Sequence, residues 1–569
     1  MRGWRIALIF ALAGLCFAQK RDAQFTALAE RFFDECYFKF DPVAGTQAGF
    51  HQYDALLPVI SRTEIDAQIA SLKKFEGEID SFGAQGLSPA TQSDRELVLS
   101  QIRGALLTLQ EIRPWEKNPD IYSSSLSNAI FVIMSRSFAP ASVRLKSVIA
   151  REKLASKVFE SARTNLKNPP KVYTEVALEQ IPGIISFFHD DVPNAFKDVK
   201  DGPLLEEFKL ANQAVMDELD KYQAYLKNDL LPKSNGDFRI GAENYRKKLL
   251  YDEMVEIPLD RLLEIGRENL RHNQAEFNKV AKQIDASRPP QQILDEAMAD
   301  HPSGANLLQS FKDVLSGLRR FIENKKIVTI PSPVPPIVEE TPPFERALTT
   351  ASMDTPGPYE KIAKEAFFNV TLPEKTWDAK QTEEYLQGFN KGTIISTAVH
   401  EVYPGHYVQF LWNAKAPSKV RKLLGCSSNA EGWAHYTEQM MLDEGYGNGD
   451  LKLRLGQLQD ALLRNARFIA GIQMHTGKMT VEEAVEFFVK EGYQVRPVAE
   501  KEAKRGTSDP TYLVYTLGKL EILKLREDYK KLKGGKYTLQ GFHDAFLQQG
   551  FPPIKIVRRA LLGNDSPVL

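Results

Sequence analysis

The sequence predicts a mostly α protein, a large multi-helix chain in two helical halves with a small β element just before its most distinctive motif. Three observations predict it. Apolar residues recur at helical spacing from Phe25 to about Lys326, for example Ala27, Leu28, Phe32, Phe33 and Tyr37, or Ile69, Leu72 and Phe75. A segment from Ile327 to Pro358 carries Pro331, Pro333, Pro335, Pro336, Pro342, Pro343, Pro356 and Pro358, and cannot be a continuous helix. After it, Ala366 to Leu372 has the aromatic and β-branched content of a strand, and helical spacing resumes with Ile394, Ile395, Ala398 and Val399.

Taken in order, residues 1–18 read as a signal peptide. Arg2 and Arg5 are followed by an apolar run from Ile6 to Leu15 and a small-x-small cleavage site, Cys16-Phe17-Ala18. Cleavage, a lipid anchor on Cys16 and an uncleaved anchor are the three readings. The run is short for a bilayer span, so no stable membrane insertion is expected after cleavage, and a secreted or periplasmic location follows. Residues 19–326 form the N-terminal helical half, punctuated at Leu57-Pro58, Asn168-Pro169-Pro170 and Pro289-Pro290. Residues 327–358 read as an ordered, extended connection, because Val, Ile and Phe interleave the prolines where a flexible linker would have Ser and Gly. Residues 359–569 form the second half, with helices expected at Val481–Val489 and Tyr512–Tyr529.

The 569 residues are 43% apolar and 26% charged, with a formal net charge of −1, enough material for a large core and no polyelectrolyte character. That balance excludes nucleic acid as an expected partner. Beyond the signal, Cys36 and Cys426 are left, which fit either one disulfide or two buried thiols. Neither a G-x-S-x-G elbow nor a G-x-x-x-x-G-K loop occurs, so serine hydrolase and nucleotidase readings have no residues to rest on.

Chemistry concentrates in His400-Glu401-Val402-Tyr403-Pro404-Gly405-His406. It is the zinc-site pattern H-E-x-x-H with two residues too many. Histidines four apart share a helix face, whereas six apart they are separated by about 600° of turn, roughly 120° short of realignment. Pro404 breaks helical hydrogen bonding, and Gly405 widens the backbone's choices. The helix is therefore expected to end between the histidines and swing His406 back toward His400. Glu401 has the general base's position. A catalytic zinc needs a third protein ligand, and Glu431 lies at the interval seen in gluzincin metallopeptidases. Glu431, His435 and Glu438 share one helix face, so Glu438 is placed to orient a ligand histidine from behind, and Gly432 to let helices approach closely.

These motifs carry a resemblance. The H-E-x-x-P-G-H-x-x-Q pattern from His400 to Gln409 and the E-G-W-A-x-Y-x-E pattern from Glu431 to Glu438 resemble the bacterial family catalogued as domain of unknown function 885. Weaker matches lie at Asp41-Pro42, at Gly49 to Asp54 and at Tyr515 to Gly518. The resemblance implies a helical fold similar to thimet oligopeptidase, with a deep cleft between its halves, and a Zn²⁺ peptidase held by His400, His406 and Glu431. It also implies an oxyanion donor at Tyr515, whose alternative is core packing, and an Arg-x₃-Asp-x₃-His series. Arg467 and His475 match that series, but Gly471 stands where the aspartate is expected, which puts an ion pair and the catalytic part of His475 in question. Arg496 and Arg505 are candidates to receive a substrate carboxylate. A peptide or another small amide is the expected substrate. A non-peptide amide or ester hydrolase and a catalytically silent envelope binding protein are the alternatives, and the oligomeric state stays open.

Overall fold

The computed structural model describes residues 18–346 and 349–569. The signal segment lies outside the described residues apart from Ala18. Helices account for most of the chain, and one three-stranded sheet interrupts them. The prolines act as boundaries. Pro169 and Pro170 separate helices ending at Asn165 and starting at Lys171, and Pro290 opens the helix Pro290–Ala299, where its missing N–H costs nothing. Side-chain caps set other starts. Ser61 and Glu64 form a reciprocal capping box on Arg62–Phe82, and Ser88 caps Pro89–Leu107.

Several apolar cores build the molecule. One fills the N-terminal helices between Val43 and Leu230 and takes in Phe344 from the proline-rich region and Ala363 just beyond it. Another joins helix α1 (Leu259–Ile284) to Leu455, Leu462 and Phe468 on a helix near the C-terminal end of the sequence. A third packs helix α2 (Leu307–Lys325) on the sheet, on the helices bearing the histidine motif and on Phe542–Val557. Cys36 and Cys426 are both free and buried, Cys36 in an apolar core and Cys426 with its thiol 3.4 Å from the Ser428 hydroxyl.

The sheet gathers more of the chain than one strand. Strands β1 (Ile337–Glu340) and β2 (Ala351–Asp354) come from the proline-rich segment, and β3 (Phe367–Val370) falls inside the expected strand. The order is β1-β3-β2, with β1 parallel and β2 antiparallel to β3. Val338, Phe368 and Val370 are buried in the core shared with α2. Because β3 is paired on both sides, it has no free edge to offer a peptide. The edge nearest the motif is β2, which packs beside the two motif helices.

Beyond the sheet, six helices position the site: α3 (Lys391–Glu401), α4 (His406–Asn413), α5 (Ser427–Asp443), α6 (Leu451–His475), α7 (Arg496–Ser508) and α8 (Val514–Lys533).

Candidate metal centre

Helix α3 starts where the Asn390 side chain accepts from Gly392 N and Thr393 N, at 3.0 and 3.1 Å. It is buried along nearly its whole length, and Gly392 lies directly against Gly456 of α6, where a Cβ would come within 3.0 Å of the Gly456 Cα. The helix ends at Glu401. Val402 N and Tyr403 N both turn back to Ala398 O, at 3.0 and 3.1 Å, and Gly405 N reaches Val399 O at 2.9 Å before α4 begins at His406. The expected break is present, but Gly405 is needed for a different reason than a left-handed backbone angle. A Cβ there would lie 1.7 Å from His400 O and 2.4 Å from Val399 O, so only glycine lets the loop fold this tightly under the helix.

The break brings the two imidazoles together, with ring centroids 4.8 Å apart and planes 89° to each other. Glu431 arrives from α5. Its Oε2 is 3.3 Å from His400 Nε2 and 3.4 Å from His406 Nε2, and one ligand atom from each of the three residues lies within 4.8 Å of the others. Two ligand atoms about 2.0–2.1 Å from a shared tetrahedral ion are separated by about 3.3 Å, so both Glu431 contacts match that spacing. Glu431 Oε2 is buried without a hydrogen-bond partner, as is His406 Nδ1. Burial opposes the charge on Glu431, but His406 and His400 outweigh it and hold the carboxyl well below the usual carboxylate range. Burial likewise opposes a charged His400, and Glu431 and Glu438 reverse this, pushing it up to about 10. Each shift describes a place that favours added positive charge, and the donor set fits a divalent ion of the zinc type.

Behind His400 stands Glu438, fully buried. It accepts from His400 Nδ1 at 2.7 Å and from His435 Nδ1 at 3.0 Å, and pairs with Arg464 Nη2 at 3.1 Å. Burial opposes its charge too, but Arg464 and the histidines keep it ionised. The His400 bond turns Nε2 of that ring toward Glu431 and His406. His435 is thus a neighbour of the support rather than a fourth member of the cluster. Burial, with Lys519 nearby, takes its pKa down to about 3.

Two further motif residues hold the loop in place. Trp433 Nε1 donates to Pro404 O at 2.9 Å, and Gln409 Nε2 donates to Asn429 Oδ1 at 2.9 Å, tying both sides of the Pro404-Gly405 turn to α5. Gly432 allows a close approach, but the partner is α8 and not the histidine helix. A Cβ on Gly432 would fall 2.5 Å from the Gly518 Cα, and one on Gly518 would fall 1.8 Å from Ser428 O. The N-terminus of α5 is anchored where Glu253 Oε2 accepts from Ser428 N at 2.9 Å.

Glu401, the last residue of α3, is buried beside the cluster. Tyr515 is brought to the cluster by α8. Its ring lies 6.2 Å from that of His400 with 24° between planes, and its hydroxyl accepts from Arg505 Nη2 at 3.2 Å. Burial and Glu431 raise the phenol's pKa, so it stays protonated and able to donate. His475 is not brought to this place. It sits eleven residues beyond Arg464 on α6, about 16 Å along the helix. There its Nε2 donates to Gly506 O at 2.8 Å among Phe238 and Tyr245, outside the group formed by His400, His406 and Glu431.

The Gly471 departure is explained by packing. A Cβ at this position would come within 2.8 Å of the Tyr512 ring, so an aspartate has no room. Arg467 finds its carboxylate elsewhere, in paired bonds of 2.6 and 2.8 Å to Glu502, and its guanidinium lies 4.9 Å from the Tyr515 ring centroid. The ion pair has moved rather than vanished. Arg496 is exposed and paired with Glu486 and Glu482, away from the cluster. Sequence reasoning missed Arg464 and Glu502, because a charged residue on a long helix carries no sign that it is buried. A cavity of about 510 Å³ opens between α1, α5 and α6, lined by His272, Asp443 and Arg454 among others, and none of the cluster residues line it.

The fold has solved counterparts. A "putative lipoprotein of unknown function" from Shewanella oneidensis is 27% identical, with 95% of this chain and 99% of that chain covered and a TM-score of 0.76. A "putative lipoprotein" from Colwellia psychrerythraea is 18% identical over 95% of this chain and 98% of that chain, with a TM-score of 0.78, and shares the fold. No curated protein matches the chain. The family described as "Bacterial protein of unknown function (DUF885)" matches residues 42–561, the segment that holds every residue of the cluster, and the chain belongs to that family.

Proposed function

We propose that the protein is a metal-dependent hydrolase of the gluzincin type, acting on peptide bonds outside the cytoplasm. The observation that carries the reading is the convergence of His400, His406 and Glu431 within 4.8 Å, produced by a helix that ends between its two histidines. These three residues would hold a zinc ion, which when bound activates a water molecule and polarises the substrate carbonyl. Glu401 takes the proton of the attacking water and returns it to the leaving nitrogen. Tyr515 donates its hydroxyl proton in a hydrogen bond to the carbonyl oxygen as that oxygen gains charge. Glu438, fixed by Arg464, holds His400 in the tautomer with a free Nε2. An extended peptide fits against the outer edge of β2, the strand that packs beside α3 and α4.

Location outside the cytoplasm is supported by the N-terminal signal pattern and by similarity to proteins described as lipoproteins. Among the described residues no helix is long and apolar enough to cross a membrane.

Metal content and peptide-library cleavage, compared for the wild type and Glu401→Gln, test the reading. Wild type is expected to bind one zinc per chain and cleave. Glu401→Gln is expected to keep the zinc and lose at least about 100-fold in kcat, the lower end of general acid–base contributions. Absence of stoichiometric zinc, or unimpaired cleavage by Glu401→Gln, refutes it. Zinc binding with no peptide cleaved points to a different amide or ester as substrate.

A further inference from the structure

Three arginines surround Tyr515, and they are not equivalent. Arg464 is committed to Glu438 and Asp460, and Arg467 to Glu502 through two short bonds. Arg505 differs. Both of its contacts, to the Tyr515 hydroxyl and to Asp509 Oδ2, are single bonds of 3.2 Å made by the same nitrogen, Nη2. Nε and Nη1 therefore remain as charged donors, each able to give a single hydrogen bond to an anion. The Arg505 side chain is 29% exposed, and its partner Asp509 is 40% exposed, so the ion pair opens to solvent. Lys501, one turn earlier on α7 and within electrostatic reach of both Glu502 and Arg505, adds a second cation. Arg467 and Arg505 thus face the carboxylates Glu502 and Asp509 in this corner, with Lys501 close behind on the same helix.

Position turns the unused donors of Arg505 into a statement about substrate. The Tyr515 ring is 6.2 Å from the His400 ring on one side, and its hydroxyl is 3.2 Å from Arg505 on the other. By way of the phenol, the path from the His400 ring to the guanidinium is at most about 12 Å, about three extended residues at ~3.4 Å each. Resting on the peptidase reading above, we propose that Arg505 receives the free C-terminal carboxylate of a peptide substrate, so that the enzyme removes one to three residues from the C-terminal end. The phenol between the two places can reach the carbonyl of the bond being cut while the terminus is held. His475 acquires a role in the same arrangement, since its bond to Gly506 O fixes α7 next to Arg505.

The test uses synthetic hexapeptides made in pairs, one with a free C-terminal acid and one with a C-terminal amide. Zinc-loaded wild type is expected to release fragments of one to three C-terminal residues from the acid, with at least about tenfold lower kcat/KM on the amide, as loss of one charged hydrogen-bonded pair predicts. Calorimetric titration of the Glu401→Gln protein with the same pair reads binding without turnover, and at least about tenfold tighter binding of the acid is expected. Arg505→Met should erase both preferences, and Arg505→Lys should restore part of them. Equal cleavage and equal binding of acid and amide by proteins that carry Arg505 overturn the proposal. So does an acid preference that survives in a folded Arg505→Met protein. If zinc-loaded wild type cleaves neither peptide, the peptidase reading fails. Acid-selective binding by Glu401→Gln would even then support the Arg505 receptor, and its absence would overturn it.

Discussion

Gly405→Ala is the sharpest perturbation of the centre, because it adds one methyl group and removes no ligand. The added Cβ would lie 1.7 Å from His400 O, 2.4 Å from Val399 O and 2.5 Å from His400 C, all backbone atoms of α3 with no side chain able to swing away. Even the tightest Cβ contacts seen in real structures are near 3.0 Å, so the turn must retreat by roughly 1.3 Å. A metal–nitrogen bond tolerates departures of about 0.2 Å. His406 is the first residue of α4 and moves with the turn, so the shift is several times what ligation accepts. The expected result is loss of at least about 100-fold in zinc affinity, at the upper end of what disturbing a ligand's support costs. Overpacking should lower stability by about 1–3 kcal/mol in addition. Competition with a chromophoric chelator measures the first quantity, and denaturant unfolding of the metal-free protein measures the second. A Gly405→Ala protein that binds zinc within about threefold of wild type would refute the argument that the turn sets the position of His406.

Two further outcomes follow from buried groups. Glu438→Gln keeps the shape but removes the charge that accepts from His400 Nδ1 and pairs with Arg464, so zinc affinity should fall by about 10–100-fold, read by the same competition. His543 gives a pH dependence away from the centre. Its Nδ1 donates to Ile327 O at 2.8 Å and its Nε2 lies 2.8 Å from the Tyr436 hydroxyl, and burial takes its pKa from 6.5 down to about 3. The folded protein then binds one proton fewer than the unfolded chain between those values, so this contribution is intact above pH 6.5 and is lost as the pH falls toward 3. The slope is about 1.4 kcal/mol per pH unit. Urea unfolding at pH 7 and pH 5 should show His543→Gln losing less stability on acidification than wild type, and an identical loss would refute the assignment.

Much of the site was legible because its signals are local. A proline and a glycine between two histidines state where a helix must stop, and i, i+4 and i, i+7 spacing states that His435 and Glu438 share a face with Glu431. The strand at Phe367–Val370 was readable from composition, but its neighbours were not. β1 and β2 are four residues each and flanked by proline, so their pairing is a property of β3 and of the core beneath it rather than of their own residues. The partner of Gly432 was equally out of reach, since a glycine announces close approach without naming what approaches. His475 is a different case. A residue that fits a family series was given chemistry by its position in that series, whereas tertiary packing turned it to a backbone carbonyl.

The contact between Gly432 and Gly518 has a consequence for how a substrate can enter. Backbone touches backbone there, with no side chains between to act as a compliant layer, and the seam lies one residue from Glu431 and three from Tyr515. Helices α5 and α8 therefore behave as a single strut, and the carboxylate and the phenol it carries keep a fixed separation through any breathing of the protein. Access must come from movement of other walls against this strut, so the half of the centre that α5 and α8 carry is already assembled before a substrate arrives.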